Sequence, residues 1–357
     1  LANDKMDMGF YIFYMGINIG AAAASLIVGY VGEEQGWHYG FGLAGIGMAI
    51  GQLFYWRGQK YLSHVGNVIK TEKKSSAGSN LIFKIFEKSN STLGFALTVA
   101  FGLLIYFYWG SWTYGLLVIG LAFAVGIALV IYNDGSKIEK DRILVTYIAF
   151  LMIIVFWGAF EQAGGLLNLY AKQKTDLVLS ESFTVPASWF QSLNAIFIII
   201  FASVVGSFWI WWQNKGKEYS AILKMAIGVI IMGWGFFFMS AASTEIQYDS
   251  AGEIVGKSAM YWLVLAYLFH TIGELCASPV ALSFITKLSP ARWSAFMMGA
   301  YFAVTGLGNK VAGLIGENAS EVGEFWIFTG IAIFCTIFGI LFLFLVKPLK
   351  RLIHNAE

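Results

Sequence analysis

Charge is what this chain has least of: Asp, Glu, Lys and Arg together make up 12% of its 357 residues. Soluble domains carry about 25%, so an ordinary water-facing surface is excluded. Cysteine is scarce as well. Cys276 and Cys335 are the two present. Both fall in apolar runs, which excludes a disulfide framework and a CxxC metal site. There is no His-Glu-x-x-His, no Gly-x-Ser-x-Gly and no pair of membrane aspartates, so the chain is not expected to be an intramembrane hydrolase or another enzyme. The glycines Gly40, Gly42, Gly45, Gly47 and Gly51 have no following Lys-Ser or Lys-Thr to cradle a phosphate. They are read as small-residue faces for close helix packing. No signal peptide precedes the first apolar run, and Leu1 is not an initiator methionine. We therefore expect a chain cut from something longer, or processed.

Apolar residues are abundant, at 58%, with a mean hydropathy of +0.69. Ten runs have the length of a membrane-spanning helix: residues 9–31, 37–56, 92–109, 112–132, 143–170, 187–212, 221–242, 259–284, 293–315 and 325–346. Each is too long for a strand of a membrane barrel. Of the 23 Lys and Arg residues, 19 fall on one alternate set of connections and three on the other, while Lys310 lies inside a run. By the positive-inside bias both ends of the chain are cytoplasmic. The same bias accounts for the net charge of +2, and no nucleic-acid partner is implied.

The longest polar connection, 57–91, contains Lys73-Lys74-Ser75-Ser76-Ala77-Gly78-Ser79-Asn80 and reads as a flexible cytoplasmic linker. Before it, 1–56 holds two spans. After it, 92–132 forms an uncharged helical hairpin facing lipid, and 133–142 is a short cytoplasmic connection. The region 143–357 forms a six-helix bundle with a cytoplasmic tail.

Two acids break the apolar pattern: Glu161 within 143–170 and Glu274 within 259–284. A carboxylate at membrane depth costs about 2.5–3.5 kcal/mol on insertion scales, so it is expected to line a pathway or a site. Acids on two spans point to a transporter that handles protons or a cationic substrate group. The alternative for each is a structural acid satisfied by a neighbouring helix. Pro279, five residues after Glu274, cannot donate a backbone N–H and is expected to bend its helix, as a gating hinge or a static kink. His270 lies one helical turn before Glu274. It is read as a packed, hydrogen-bonded histidine rather than a tuner of the Glu274 proton.

Five runs in order resemble the proton-dependent oligopeptide transporter (POT/PTR) family of the major facilitator superfamily, bacterial type. They are Phe13-Tyr14-Met15-Gly16-Ile17-Asn18-Ile19-Gly20 with Trp37-His38-Tyr39-Gly40; Phe156-Trp157 with Glu161-Gln162; Trp189-Phe190-Gln191-Ser192-Leu193-Asn194; Gly273-Glu274-Leu275-Cys276; and Ser278-Pro279 followed by Thr286-Lys287-Leu288. The resemblance implies an all-α polytopic membrane protein with twelve core helices in two six-helix halves and an inserted helix pair. On that template ten helices are present: the last two of the amino-terminal half, the inserted pair, and the complete carboxy-terminal half. Counterparts of the first four helices, with the family's Glu-x-x-Glu-Arg motif and site lysine, are absent from these 357 residues.

The resemblance also implies roles. Glu274 would receive the amino terminus of a peptide and take part in proton coupling. Glu161 would load and release a proton as an arginine partner moves. Asn194 and Asn18 would contact the substrate backbone, while Tyr14, Trp157 and Tyr301 would wall a side-chain pocket. Tyr301 stands where family members often have tryptophan, and Ala281 where glycine is usual. The function so implied is proton-coupled import of di- and tripeptides across a bacterial inner membrane, with no metal and no cofactor. The alternatives are another small metabolite on the same fold, or an inactive truncated fragment.

Overall fold

The computed structural model describes residues 15–62, 135–290 and 294–354. Tyr14, the expected hairpin 92–132 and most of the linker 57–91 lie outside the described residues. The remaining expected spans are helical. We number the helices α1 (Met15–Gln35), α2 (Trp37–Leu62), α3 (Lys137–Phe160), α4 (Leu166–Lys174), α5 (Trp189–Asn214), α6 (Ala221–Thr244), α7 (Tyr261–Leu288), α8 (Ser294–Val322) and α9 (Glu324–Leu352). Among the described residues six helical segments are long and apolar enough to cross a membrane: α1, α3 with α4, α5, α6, α7 and α9. Helices α2 and α8 reach 26 and 29 residues with a more polar composition. At about 1.5 Å per residue these lengths exceed a hydrocarbon layer of about 30 Å. Residues 46–62 of α2 belong to a separate compact unit from the other described residues.

Local chemistry sets several boundaries. Ser136 and Glu139 form a reciprocal capping box that starts α3, satisfying two backbone N–H groups at once. Gly36 and Gly323, at φ of 113° and 89°, turn the chain between α1 and α2 and between α8 and α9. Those angles suit a residue without a Cβ.

One expectation is corrected here. The run 143–170 is not one continuous helix. Helix α3 ends at Phe160, a 3₁₀ turn occupies Glu161–Ala163, and the chain restarts as α4. The break falls at Gly165, which leaves the helical region at φ −106° and ψ −94° while Gly164 keeps helical angles, a departure that a residue without a Cβ makes at little steric cost. A Cβ on Gly40 would meet the Val28 carbonyl oxygen of α1 at 2.7 Å, but at Gly42, Gly45, Gly47 and Gly51 it would meet nothing within 4 Å among the described residues.

Helix α6 packs most extensively against α7 and α9. A Cβ on Gly228 or Gly273 would lie 2.6 Å from the other's carbonyl oxygen, so α6 and α7 cross nearly backbone to backbone, as small residues permit in membranes. Around that crossing Met232, Phe236, Met239, Tyr267 and Phe328 are fully buried.

Six short strands decorate the end of the bundle where α4 stops. Strand β1 (Thr175–Asp176) pairs in parallel with β6 (Ser258–Ala259). Strands β2 (Val178–Ser180) and β3 (Phe183–Thr184) form one antiparallel hairpin, and β4 (Gln247–Tyr248) and β5 (Ile254–Gly256) another. Lys174 is ion-paired to Glu324 there, joining α4 to α9. Glu33 of α1 accepts the backbone N–H groups of Ala187 and Ser188 at 3.2 and 2.8 Å, and Trp189 Nε1 donates to the Leu26 carbonyl at 3.0 Å, so α1 docks on the start of α5.

At the opposite, lysine-rich end, Glu218 between α5 and α6 accepts Lys350 of α9 at 3.0 and 2.9 Å and the Ser220 N–H at 3.0 Å. Partial burial pushes the Glu218 carboxyl up, but the Lys350 ammonium and the Ser220 N–H outweigh it and hold the group below its ordinary 4.5. A carboxyl lowered on folding stabilises the fold above its unfolded value, and that contribution is lost as pH falls through the lowered folded value. Thermal unfolding in detergent should therefore lose stability on acidification from neutral to below 4.5, and Glu218→Gln should flatten that part of the profile.

Candidate functional site

Glu274 lies on the α7 face that meets α5. It is 8% exposed. Its Oε2 accepts from Asn194 Nδ2 at 2.7 Å, and the same amide nitrogen donates to Thr271 Oγ1 at 3.2 Å. Thr271 in turn donates to the Tyr267 carbonyl at 2.7 Å, one helical turn back. Both amide hydrogens of Asn194 are thus committed, leaving its side-chain oxygen as an acceptor. Glu274 Oε1 takes no hydrogen bond among the described residues. The arrangement is a fixed carboxyl with one oxygen anchored and one available, which suits capture of a cationic group.

Glu161 is half-buried at the break between α3 and α4. Its carboxyl is within Coulombic reach of Glu274, so the two acids form one electrostatic site. Gln162 steadies the break. Its Nε2 donates to the carbonyls of Gly158 and of Ala312 on α8, both at 3.1 Å, taking up an oxygen of the last turn of α3 and tying the break to α8. Tyr267 Oη donates to the Ala163 carbonyl at 3.2 Å, linking the break directly to α7.

The aromatic residues expected at the site divide. Trp157 is half-buried, edge-on to Phe160 at a centroid distance of 5.4 Å. Tyr301 of α8 is 5% exposed and meets the side chains of Trp157, Ser278 and Thr305, with Glu274 in electrostatic range. Trp157, Ser278, Ala281 and Tyr301 border a cavity of about 10 Å³, room for about one water. Tyrosine here places a hydroxyl close to Trp157 of α3 and Ser278 of α7.

Asn18 is buried on α1 at 6% exposure, but the amide bonded to Glu274 is Asn194. Pro279 is exposed within an α7 that runs continuously from Tyr261 to Leu288, and it borders a different, lysine-lined cavity. His270 corrects an expectation. It is 1% exposed, packed on Phe236 at a centroid distance of 4.5 Å, and neither ring nitrogen is hydrogen-bonded among the described residues. It fills the notch left by Gly235, where a Cβ would approach the ring to 2.5 Å.

Sequence reading passed over Thr271 and Gln162. Thr271 was within reach of it, because a hydroxyl three residues before a buried acid shares its helical face. Gln162 gave a signal in the Gly-Gly pair that follows it.

Residues 2–325 match the model described as PTR2: POT family. The peptide transporter YePEPT of Yersinia enterocolitica is 32% identical over 373 aligned positions, covering 99% of this chain and 70% of that protein. A di-/tripeptide transporter of Lactococcus lactis subsp. cremoris is 29% identical, covering 99% and 71%. Among solved structures, a mutant of the peptide transporter POT in complex with alafosfalin superposes with a TM-score of 0.77 at 28% identity, covering 99% of this chain and 69% of that one.

The Asn194 network makes a graded prediction. Thr271→Val should lower stability by about 0.5–1.5 kcal/mol, the worth of one neutral hydrogen bond. Asn194→Leu should cost about 1–3 kcal/mol, because it strips the donor from a buried carboxyl. Unfolding in detergent measures both, and equal small losses would show that Glu274 does not depend on Asn194.

Proposed function

The chain belongs to the POT family, and we propose that it is a proton-coupled symporter that imports di- and tripeptides by alternating access. The observation that carries this reading is the Glu274 carboxyl, set in an apolar helix with Asn194 on one oxygen and none of the described donors on the other. A peptide ammonium is the complement of such a group. In a water-poor cleft an N⁺–H···O⁻ bond is short and strongly oriented. The substrate backbone would find an acceptor in the Asn194 oxygen, with Asn18 contributing from α1 and Tyr14 helping to wall the side-chain pocket. Side chains would be received by Trp157 and Tyr301, whose flat apolar surfaces tolerate varied shapes.

Proton coupling is assigned to Glu161 and Glu274. Two carboxyls in electrostatic contact away from bulk water resist ionising together, so a proton on Glu161 favours the ionised form of Glu274, the form that an ammonium binds. Glu161 sits on a broken helix, a geometry that transporters place at their substrate and ion sites. The driving force is about 2.3 kcal/mol per charge per 100 mV of membrane potential. No covalent step, metal or cofactor is required. We place the protein in a bacterial inner membrane with both termini cytoplasmic, following its Lys and Arg distribution. Pro279 then lies toward the cytoplasmic half of α7, where the missing backbone N–H would let the helix hinge as the cytoplasmic gate opens.

Two substitutions test the reading. Glu274→Gln removes the charge without changing the shape and should weaken peptide binding by about 10- to 150-fold, the loss of a charge-assisted bond, with thermal unfolding unchanged. Undiminished affinity in equilibrium binding would remove Glu274 from the site. Glu161→Gln in proteoliposomes should abolish proton-driven accumulation while peptide counterflow persists. Accumulation at the wild-type rate would take Glu161 out of the coupling step.

A further inference from the structure

The lysine-rich end of the bundle contains a hollow of about 590 Å³, within the range of ligand sites and separate from the Glu274 cluster. Lys217, Lys224, Lys287 and Lys350 line it, with Ser220 and Ser283, and no acidic residue is among its lining. In a chain with 12% charged residues, four ammonium groups around one space are a concentrated positive field. Lys350 is paired with Glu218, which lies outside the lining. The other three lysines have no carboxylate partner among the described residues.

Lys224 is the telling member. It is 9% exposed, and its Nζ rests over the Tyr219 ring at 3.3 Å and the Trp209 ring at 5.6 Å. No hydrogen-bond acceptor meets it among the described residues. Cation–π contacts contribute about 0.5–2 kcal/mol, and the donors of the ammonium remain without an acceptor where it borders the hollow. Its position worsens the balance. Lys224 is the fourth residue of α6, whose first turn holds no acid, and the helix-start residues Ser220 and Ala221 border the same hollow. A helix N-terminus carries positive partial charge and repels a lysine. An anion in the hollow would satisfy both.

The surroundings indicate where such an anion comes from. Trp209, Trp211, Trp212 and Tyr219 cluster beside the hollow, and Phe208, Ile210 and Trp211 are exposed on α5. Tryptophan and tyrosine above an apolar face mark the level of lipid headgroups. We propose that this hollow binds a phosphate group, that of an anionic phospholipid headgroup, between the α5–α6 connection, α7 and α9. Pro279, Ser283 and Lys287 come from α7, so the occupant bears on the helix that carries Glu274.

The test is native mass spectrometry of the delipidated protein, to which phosphatidylglycerol, phosphatidylcholine or inorganic phosphate is added. Wild type should retain phosphatidylglycerol in preference to phosphatidylcholine. Lys287→Gln, an exposed site that leaves the fold intact, should lower that retention about fivefold, as expected for one lysine at a membrane surface. Lys224→Met should lower it at least as much. Inorganic phosphate that binds alone with the same lysine dependence, and displaces the lipid, would support the phosphate site and assign its occupant to solution. Equal retention of the two lipids, or retention unchanged in a Lys217→Gln/Lys287→Gln variant with no lysine-dependent phosphate binding, would overturn the proposal.

Discussion

A carboxyl group inside an apolar helix must find a partner, and the hydrogen bond from Asn194 to Glu274 is the constraint around which the bundle is arranged. For the amide to reach the acid, α5 and α7 must lie side by side at a fixed register. Thr271 sets that register, receiving the second amide hydrogen while bonding back to its own helix. The backbone crossing at Gly228 and Gly273 then locks α7 against α6, one residue from Glu274. Packing and polar satisfaction are therefore one problem here. A bulky residue at 273 would displace the acid as well as the helix.

The interruption after Phe160 has the same logic on the other side of the site. A continuous helix buries all its carbonyls in its own hydrogen bonds. A broken one leaves several to be satisfied, and Gln162 and Tyr267 are the groups that do so. Glu161 stands where backbone and side chain both depart from helical regularity. Since Tyr267 belongs to α7, a change in the break would be felt by the helix that carries Glu274. The two acids are joined through structure as well as through their charges.

Much of this was legible in the sequence, and the limits are physical. Apolar runs marked the helices because the hydrocarbon layer fixes their length, and the two acids stood out because charge is so rare. The break at Glu161 was written in Gly164-Gly165, yet hydropathy averaged over the run hid it. Asn194 was singled out as a substrate contact. Its bond to Glu274 spans 80 residues of sequence and follows from helix packing, which no local pattern encodes. The same holds for Glu33 and the start of α5. His270 was expected to be hydrogen-bonded because imidazole usually is when buried. Its place was decided instead by shape, since Gly235 leaves a notch that an aromatic ring fills.

The two ends of the bundle are held by different physics. Where the short strands lie, the bonds are directional: Lys174 with Glu324, Glu33 with two backbone N–H groups, and strand pairs between connections. At the lysine-rich end Lys350 pairs with Glu218, His354 meets Asp141 at 2.7 Å and Arg142 donates to the Ile353 carbonyl at 3.0 Å, and beside them stands a hollow with an excess of positive charge. Directional bonds fix geometry, whereas an unbalanced field stores a demand that an anion from outside can meet. Under alternating access one end must be closed while the other admits substrate. An anion in the proposed hollow would draw together the lysines of α6, α7 and α9, so the stiffness of the lysine-rich end would depend on the phosphates within its reach.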